Sequence, residues 1–337
     1  MEKIFVTGAT GFIGKNFVDK LTEEGYQVTI LVRNKKSAEI FSKKKVNVIV
    51  GDITKMQDIK NKIALHDIIV HLAGIRANWA SKELFYKVNS ESIGNLFIKN
   101  SKLKHIIITS SVYAMGKLID LPADENHPLA ANDLYGKSKV TAEEITKEKA
   151  KETGIKYTII RPAIVYGPTD NDLGMVNKLV KLISKKKFPI IGSGENLLHL
   201  IYIDDLTDGY IKAINKGGNN QTYILAGDKP IRLIKLVQII KKNLNIHYKN
   251  IYLYKPLMIL VGFIMESLYF VGRNLNLKIF KNEPPISRIK ISTISDNWNY
   301  STLKARKELG FKPIVSYEKG IYETVKWFGN NSIAKTN

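Results

Sequence analysis

Ile4-Phe5-Val6, a short β-branched run, leads directly into Thr7-Gly8-Ala9-Thr10-Gly11-Phe12-Ile13-Gly14 and then into an apolar, helix-patterned stretch ending near Leu21. Three glycines spaced by three at a strand-to-helix junction restrict the fold more than any other feature of the chain. Residues without a Cβ let the backbone turn tightly, approach another group closely and pack a helix against the strand before it. A helix starting there presents unpaired N–H groups and the positive end of its dipole to an anion. The spacing is GxxGxxG, not the commoner GxGxxG, and its position right after a strand makes Gly8, Gly11 and Gly14 a candidate cradle for a dinucleotide pyrophosphate.

Downstream, short β-branched runs (27–32, 46–50, 68–72, 105–109 and 156–160) alternate with stretches of helical length such as 82–101 and 132–153. That alternation predicts an α/β fold, a doubly wound parallel sheet covered by helices on both faces, with ligands at the carboxyl ends of the strands. From about residue 162 the rhythm loosens, and Pro162, Gly167-Pro168, Pro189, Gly217-Gly218 and Pro284-Pro285 punctuate shorter elements. The expected division is a dinucleotide-binding domain over 1–165, with chain crossing back around 199–215, a smaller substrate-binding lobe over 166–330, and a flexible tail at 331–337.

Of 52 cationic residues only seven are arginine, and the net charge is +21. The lysines are scattered, without a basic stripe interleaved with aromatics, which favours a solvated cationic surface over nucleic-acid binding. The absence of cysteine excludes disulfides, thiolate catalysis and cysteine-held metal sites. No metal site is expected. The chain opens on a strand, not on a charged-then-apolar leader, so a cytoplasmic protein is expected. The most apolar stretch, 257–272, has 16 residues and contains Glu266, which is short against the ~20 residues of a membrane span. It reads as a core or pocket-covering helix, with peripheral membrane contact aided by neighbouring lysines as the alternative.

Tyr135 and Lys139 lie four residues apart in the helical stretch 132–153 and so share a face. A phenol is a poor proton-transfer group at neutral pH, and a fixed ammonium one turn away is expected to favour its phenolate. Ser110-Ser111 ends the run 105–109, placing a hydroxyl where it can hold a substrate oxygen beside that phenol.

With these residues in place, the chain resembles the extended short-chain dehydrogenase/reductases, the NAD(P)-dependent epimerase/dehydratase group. The likeness rests on TGATGFIG (7–14), GDIT (51–54), HLAG (71–74), VN (88–89), TSSVYAMG (109–116), YGKSK (135–139), RPAIVYGP (161–168), IYIDDL (201–206) and KARKELGFKP (304–313). It implies a Rossmann-type sheet and a catalytic Ser111, Tyr135 and Lys139. It also implies a cofactor held by Gly8, Gly11, Phe12, Ile13 and Gly14 at the pyrophosphate, by Asp52 and Ile53 at the adenine, and by Leu72 and Ala73 along its middle. Asn89 would play a structural or cofactor-supporting part or cap a helix, Tyr135 and Lys139 would face its nicotinamide ribose, and Pro162 would begin the loop against the nicotinamide. NAD-preferring members carry an acid at the end of the second strand, where this chain has Arg33, so NADP(H) is the expected cofactor and NAD(H) the alternative. A small-molecule substrate and a homodimer built on helices within 82–101 and 132–153 are also implied.

Departures from the family pattern narrow the reaction. Val112-Tyr113 stand where sugar dehydratases carry an Asp-Glu pair, and the Cys/His pair of the epimerase-reductases is impossible without cysteine. Leu198-His199-Leu200 lack the arginine with which many nucleotide-sugar enzymes grip a diphosphate, leaving Arg161, Arg232 and Arg288 as candidate anion contacts. Three readings follow: a nucleotide-sugar epimerase-like enzyme exchanging hydride at a sugar carbon, an NADPH-dependent reductase or dehydrogenase of an apolar hydroxy/keto substrate resembling 3β-hydroxysteroid dehydrogenases, and a non-catalytic NAD(P)-binding sensor or assembly factor.

Overall fold

The structure, a computed structural model, describes residues 2–55, 59–76, 81–99, 101–169, 174–275, 277, 280 and 284–333. Seven strands form one sheet: β1 (Lys3–Thr7), β2 (Gln27–Val32), β3 (Val46–Val50), β4 (Ile68–His71), β5 (His105–Thr109), β6 (Lys156–Pro162) and β7 (Gln221–Leu225). Their order is β7-β6-β5-β4-β1-β2-β3, and every neighbouring pair is parallel. The chain first winds outward from β1 to β3, then returns to the other side of β1 with β4. The crevice for a ligand in such a sheet lies at that reversal, beyond the carboxyl ends of β1 and β4. Near-continuous apolar runs make the inner strands; Ile4, Phe5, Val6, Ile69, Val70, Ile106, Ile107 and Ile108 have no more than a trace of exposed surface, as a sheet covered on both faces requires.

Helix α1 (Phe12–Glu23) buries Gly14, Phe17, Val18 and Leu21, the i, i+3, i+4, i+7 stripe of an amphipathic helix. Phe17 meets Tyr210 of α3 (Ile203–Lys216) with ring centroids 5.4 Å apart. Helix α2 (Leu134–Thr153) starts where the Asp133 carboxylate accepts from the Gly136 N–H and stops at Gly154, which takes the left-handed conformation with φ 74°. Its buried face carries Glu143, which accepts from Arg161 Nε at 2.8 Å, Arg161 Nη2 at 2.7 Å and the Ser110 hydroxyl at 2.6 Å. The stretch 82–101, expected as one helix, is broken. It runs as Lys82–Tyr86, a π-helical turn over Lys87–Glu91, and Ser92–Gly94.

Two compact units result. The first comprises 1–163, 203–226 and 300–314, and the second 164–202, 227–299 and 315–337. Residues 203–226 belong to the first because they supply α3 and the strand β7. Residues 300–314 join it because Phe311 packs against Gly209 and the Ile314 N–H donates to Asp205 at 2.9 Å. In the second unit, short pairings such as Leu200–Tyr202 with Ile164–Tyr166 support helices Met175–Ser184, Leu233–Asn243 and Tyr317–Ile333. Two further helices of this unit, α4 (Lys255–Asn274) and α5 (Arg288–Ser295), pack against each other. The expectation of a core helix over 257–272 is overturned: only Gly262 and Gly272 of α4 are buried.

Candidate active site

The glycine loop has the geometry its spacing demands. Gly8 adopts φ +73°, and a Cβ there would lie 2.5 Å from the backbone of Leu72 and Ala73 at the end of β4. A Cβ on Gly14 would overlap the Gly8 carbonyl. Gly11 is the N-cap of α1 and supplies no side-chain cap, so the first-turn N–H groups at Phe12 and Ile13 are not occupied by a side chain. Thr7 braces the loop from below, its hydroxyl 2.8 Å from His71 Nδ1 and accepting from the Ala73 N–H at 3.3 Å. Burial, reinforced by Lys139, pushes the His71 imidazole down to about 3, so it is neutral.

At the neighbouring strand ends, Arg33 is exposed immediately after β2. Asp52 accepts from the Thr54 N–H and hydroxyl, both at 2.8 Å. The Thr54 backbone hydrogen bond, with help from Lys55 and Arg33, holds the Asp52 carboxyl below its ordinary range. Ile53 is buried, while Leu72 and Ala73 are half-buried on the loop facing Gly8. Pro162 ends β6 and is buried.

Ser111, Tyr135 and Lys139 converge beyond β5. The Ser111 hydroxyl lies near enough to the Tyr135 phenol to favour its phenolate and accepts from the Tyr113 N–H at 3.2 Å. Lys139 Nζ sits 5.9 Å from the Tyr135 ring centroid and donates to the Thr109 carbonyl at 2.8 Å. Burial, only partly offset by Glu143, pushes Lys139 down to about 8.

The electrostatics bring in a group that the sequence did not single out. Burial holds the Tyr135 phenol above its ordinary range, and the groups that pull it back are first the Arg76 guanidinium and then the Ser111 hydroxyl. The Lys139 ammonium, itself weakened by burial, is turned toward the Thr109 carbonyl. Arg76, which no motif flagged, places its guanidinium carbon 5.1 Å from the Tyr113 ring centroid and 5.7 Å from that of Tyr135. Its side chain still reaches solvent.

Asn89 takes a structural position. Its side chain accepts from the Ile75 N–H at 2.8 Å and donates to the Ile75 carbonyl at 3.0 Å and the Ser138 hydroxyl at 3.1 Å. Fully buried, with both amide hydrogens used, it ties the loop after β4 to α2. The three arginines proposed as anion contacts are each paired with a carboxylate: Arg161 with Glu143, Arg232 with Glu195 at 3.2 Å, and Arg288 with Glu266 at 2.7 Å. His199 is buried and donates to the Gly227 carbonyl at 2.9 Å, so the segment lacking the expected arginine has a structural role.

The arrangement fits a nicotinamide dinucleotide: an uncapped helix end behind a loop that any Cβ would obstruct, and a hydroxyl–phenol–ammonium set beyond the next strands. A model of the NAD dependent epimerase/dehydratase family matches residues 4–226. The chain belongs to that family. It is an enzyme, an NAD-dependent extended short-chain dehydrogenase/reductase, and the sensor reading falls away. Over 98% of its length it is 26% identical to a sterol-4-alpha-carboxylate 3-dehydrogenase (decarboxylating) of Candida albicans, covering 99% of that protein. It is equally 26% identical to N-acetyl-alpha-D-glucosaminyl-diphospho-ditrans,octacis-undecaprenol 4-epimerase of Escherichia coli O157:H7, over 97% of this chain and 95% of that protein. The fold matches the UDP-glucose 4-epimerase of Thermotoga maritima solved with UDP-glucose at a TM-score of 0.77 and 22% identity, covering 98% of this chain and 99% of that one. It also matches the UDP-glucuronic acid 4-epimerase of Bacillus cereus in complex with NAD at 0.77 and 20%, with the same coverage.

Proposed function

We propose that this enzyme interconverts a secondary alcohol and its ketone, with Tyr135 as the general acid/base. The observation that carries the reading is the convergence of Ser111 and Tyr135, with Lys139 one helical turn further along α2 and its Nζ 5.9 Å from the Tyr135 ring centroid. Gly8 and Gly11, with the N–H groups of Phe12 and Ile13, would take the pyrophosphate, Asp52 and Ile53 the adenine, and Leu72 and Ala73 the central part. The bound cofactor supplies the hydride acceptor and donor. Ser111 and Tyr135 hold the substrate oxygen between their hydroxyls. Tyr135 removes the hydroxyl proton during oxidation and returns it during reduction. Lys139, anchored on Thr109, keeps donors for the nicotinamide ribose, and Pro162 bounds the nicotinamide side. Asn89 acts as a clamp on the loop that the cofactor crosses.

A sugar carbon is the first substrate reading, with oxidation and re-reduction on the opposite face giving an epimer. A specific observation favours the second, an apolar hydroxy/keto substrate: His199 and its neighbours form a buried structural segment without a cation for a diphosphate. Retained NAD with UDP-sugar interconversion supports the first; exchangeable cofactor with oxidation of a hydroxysteroid supports the second. Under either reading, Tyr135→Phe abolishes turnover, a loss of about 10²–10⁴, while cofactor affinity stays within a few-fold. Unchanged turnover refutes the mechanism.

For the cofactor, exposed Arg33 at the end of β2, with no acid there, supports a preference for the 2′-phosphate of NADP(H). Arg33→Glu should then weaken NADPH binding at least about tenfold relative to NADH. Wild-type protein that binds NADH tighter refutes the preference.

A further inference from the structure

Helix α4 is 20 residues long, close to 30 Å at 1.5 Å per residue, and by length and composition it could cross a membrane. Its exposed surface is ordered, not scattered. Leu257, Leu260, Ile264, Leu268 and Val271, with Leu275 just beyond the last turn, recur at intervals of three and four, each between 48% and 65% exposed. Phe263 and Phe270 widen the stripe on one side. No soluble helix gains from displaying such a face to water.

The opposite face is fastened to polar structure at both ends and in the middle. Lys255 Nζ donates to the Ser295 carbonyl at 3.2 Å and to Asp296 at 2.5 Å. Gly262 lies against α5, where a Cβ would come within 2.9 Å of Ile291 and 3.0 Å of the Arg288 nitrogen. Glu266 accepts from the Arg288 N–H and Nε, both at 2.7 Å. Tyr269 meets Phe280 edge-on at 4.9 Å. A spanning orientation would draw the Glu266–Arg288 pair and the polar groups of α5 to the bilayer midplane, where ionised groups are least tolerated. An in-plane orientation leaves them on the protein side.

Besides Lys255 and Arg288, which are paired on the protein side, residues 241–290 carry seven Lys and Arg against two Glu, and exposed Tyr252 and Tyr254 stand at the start of the helix, the residue type found at lipid headgroup level. This surroundings would repel a second copy of a chain with net charge +21 and suits an anionic lipid surface. We propose that α4 is an in-plane docking helix for an anionic phospholipid bilayer, its leucine stripe in the acyl boundary and the surrounding cations on the headgroups.

Sedimentation of the full chain with vesicles of phosphatidylcholine, alone or mixed with phosphatidylglycerol, tests this. Binding should be roughly tenfold or more stronger on the anionic vesicles and reversed by an alkaline carbonate wash. Leu260→Glu/Leu268→Glu, at exposed positions that leave the α5 face intact, should lose at least about tenfold in binding with an unchanged melting temperature. Ile314→Glu, also an exposed apolar site but in the other unit, should bind as wild type. Absence of vesicle binding overturns the proposal, as does equal binding to both vesicle types or a double variant that binds normally. Resistance to carbonate would show a spanning helix, and a dimer abolished by the double variant without vesicle binding would show a second copy; either result also overturns it.

Discussion

Arg76→Gln separates the electrostatic role of this residue from any role in holding the chain together. Its guanidinium carbon lies 5.7 Å from the Tyr135 ring centroid. Coulomb's law gives about 3 kcal/mol of phenolate stabilisation at an effective dielectric constant of 20, and about 0.7 kcal/mol in bulk water. Because the side chain reaches solvent, the working value lies between these, near 1–2 kcal/mol. Losing it raises the phenol further above its ordinary range and depletes the phenolate at neutral pH. Alcohol oxidation near pH 7 should therefore fall roughly tenfold. The deficit should shrink as pH rises, because alkali supplies the phenolate the missing cation no longer favours. Ketone reduction, which needs the protonated phenol, should fall much less. Initial rates in both directions across pH, with saturating cofactor, give the result. A loss independent of pH and equal in the two directions would refute the argument and make Arg76 a binding or structural residue.

Glu143→Gln would leave Arg161, 4% exposed at its side chain, without its carboxylate. Breaking a buried pair by removing one partner costs about 3–5 kcal/mol, and thermal unfolding should fall by on the order of 10 °C; a change of a degree or two would refute the pair's stabilising role. Lys139→Met should abolish turnover yet stabilise the free protein at neutral pH. Burial pushes the folded Lys139 ammonium down to about 8 from the 10.5 of an exposed lysine, so the unfolded chain binds more proton between those values and wild-type stability rises with pH across that window. Melting at pH 7 and near pH 10 should show the variant's advantage shrinking with alkali, and a constant difference would refute the assignment.

The parts of this site legible in the sequence are those fixed by local backbone geometry. Gly14 is required because a Cβ there would overlap the Gly8 carbonyl within the same turn, and Gly8 because its φ of +73° already favours glycine before the backbone of Leu72 and Ala73 closes on it. Tyr135 and Lys139 share a face because helices have a fixed period. What stayed hidden depends on tertiary neighbours. Arg76 follows β4 in a loop without a motif, and its importance comes from Tyr113 and Tyr135, which other segments deliver to it. Asn89 could not be told from a capping residue until the π-helical turn aimed both its amide hydrogens inward. β7 escaped notice because its partner β6 lies some sixty positions earlier, with pairings such as Tyr223 against Ile160.

The same distinction explains α4 and Lys139 together. Hydropathy measures how apolar a segment is and not what covers it, so 257–272 resembled core until α5 was seen to occupy only one face. Lys139 is the converse, a catalytic candidate whose ammonium lies buried beside Tyr135. Each residue set carries a solvation cost in the free protein that the proposed ligand would remove: for Lys139, ribose hydroxyls in place of the water it has lost, and for α4, the proposed lipid boundary in place of the water it meets. Strained solvation of this kind marks binding surfaces more reliably than residue type alone, since a fold evolved only for stability would replace a buried ammonium with an apolar side chain and a leucine stripe with a polar one.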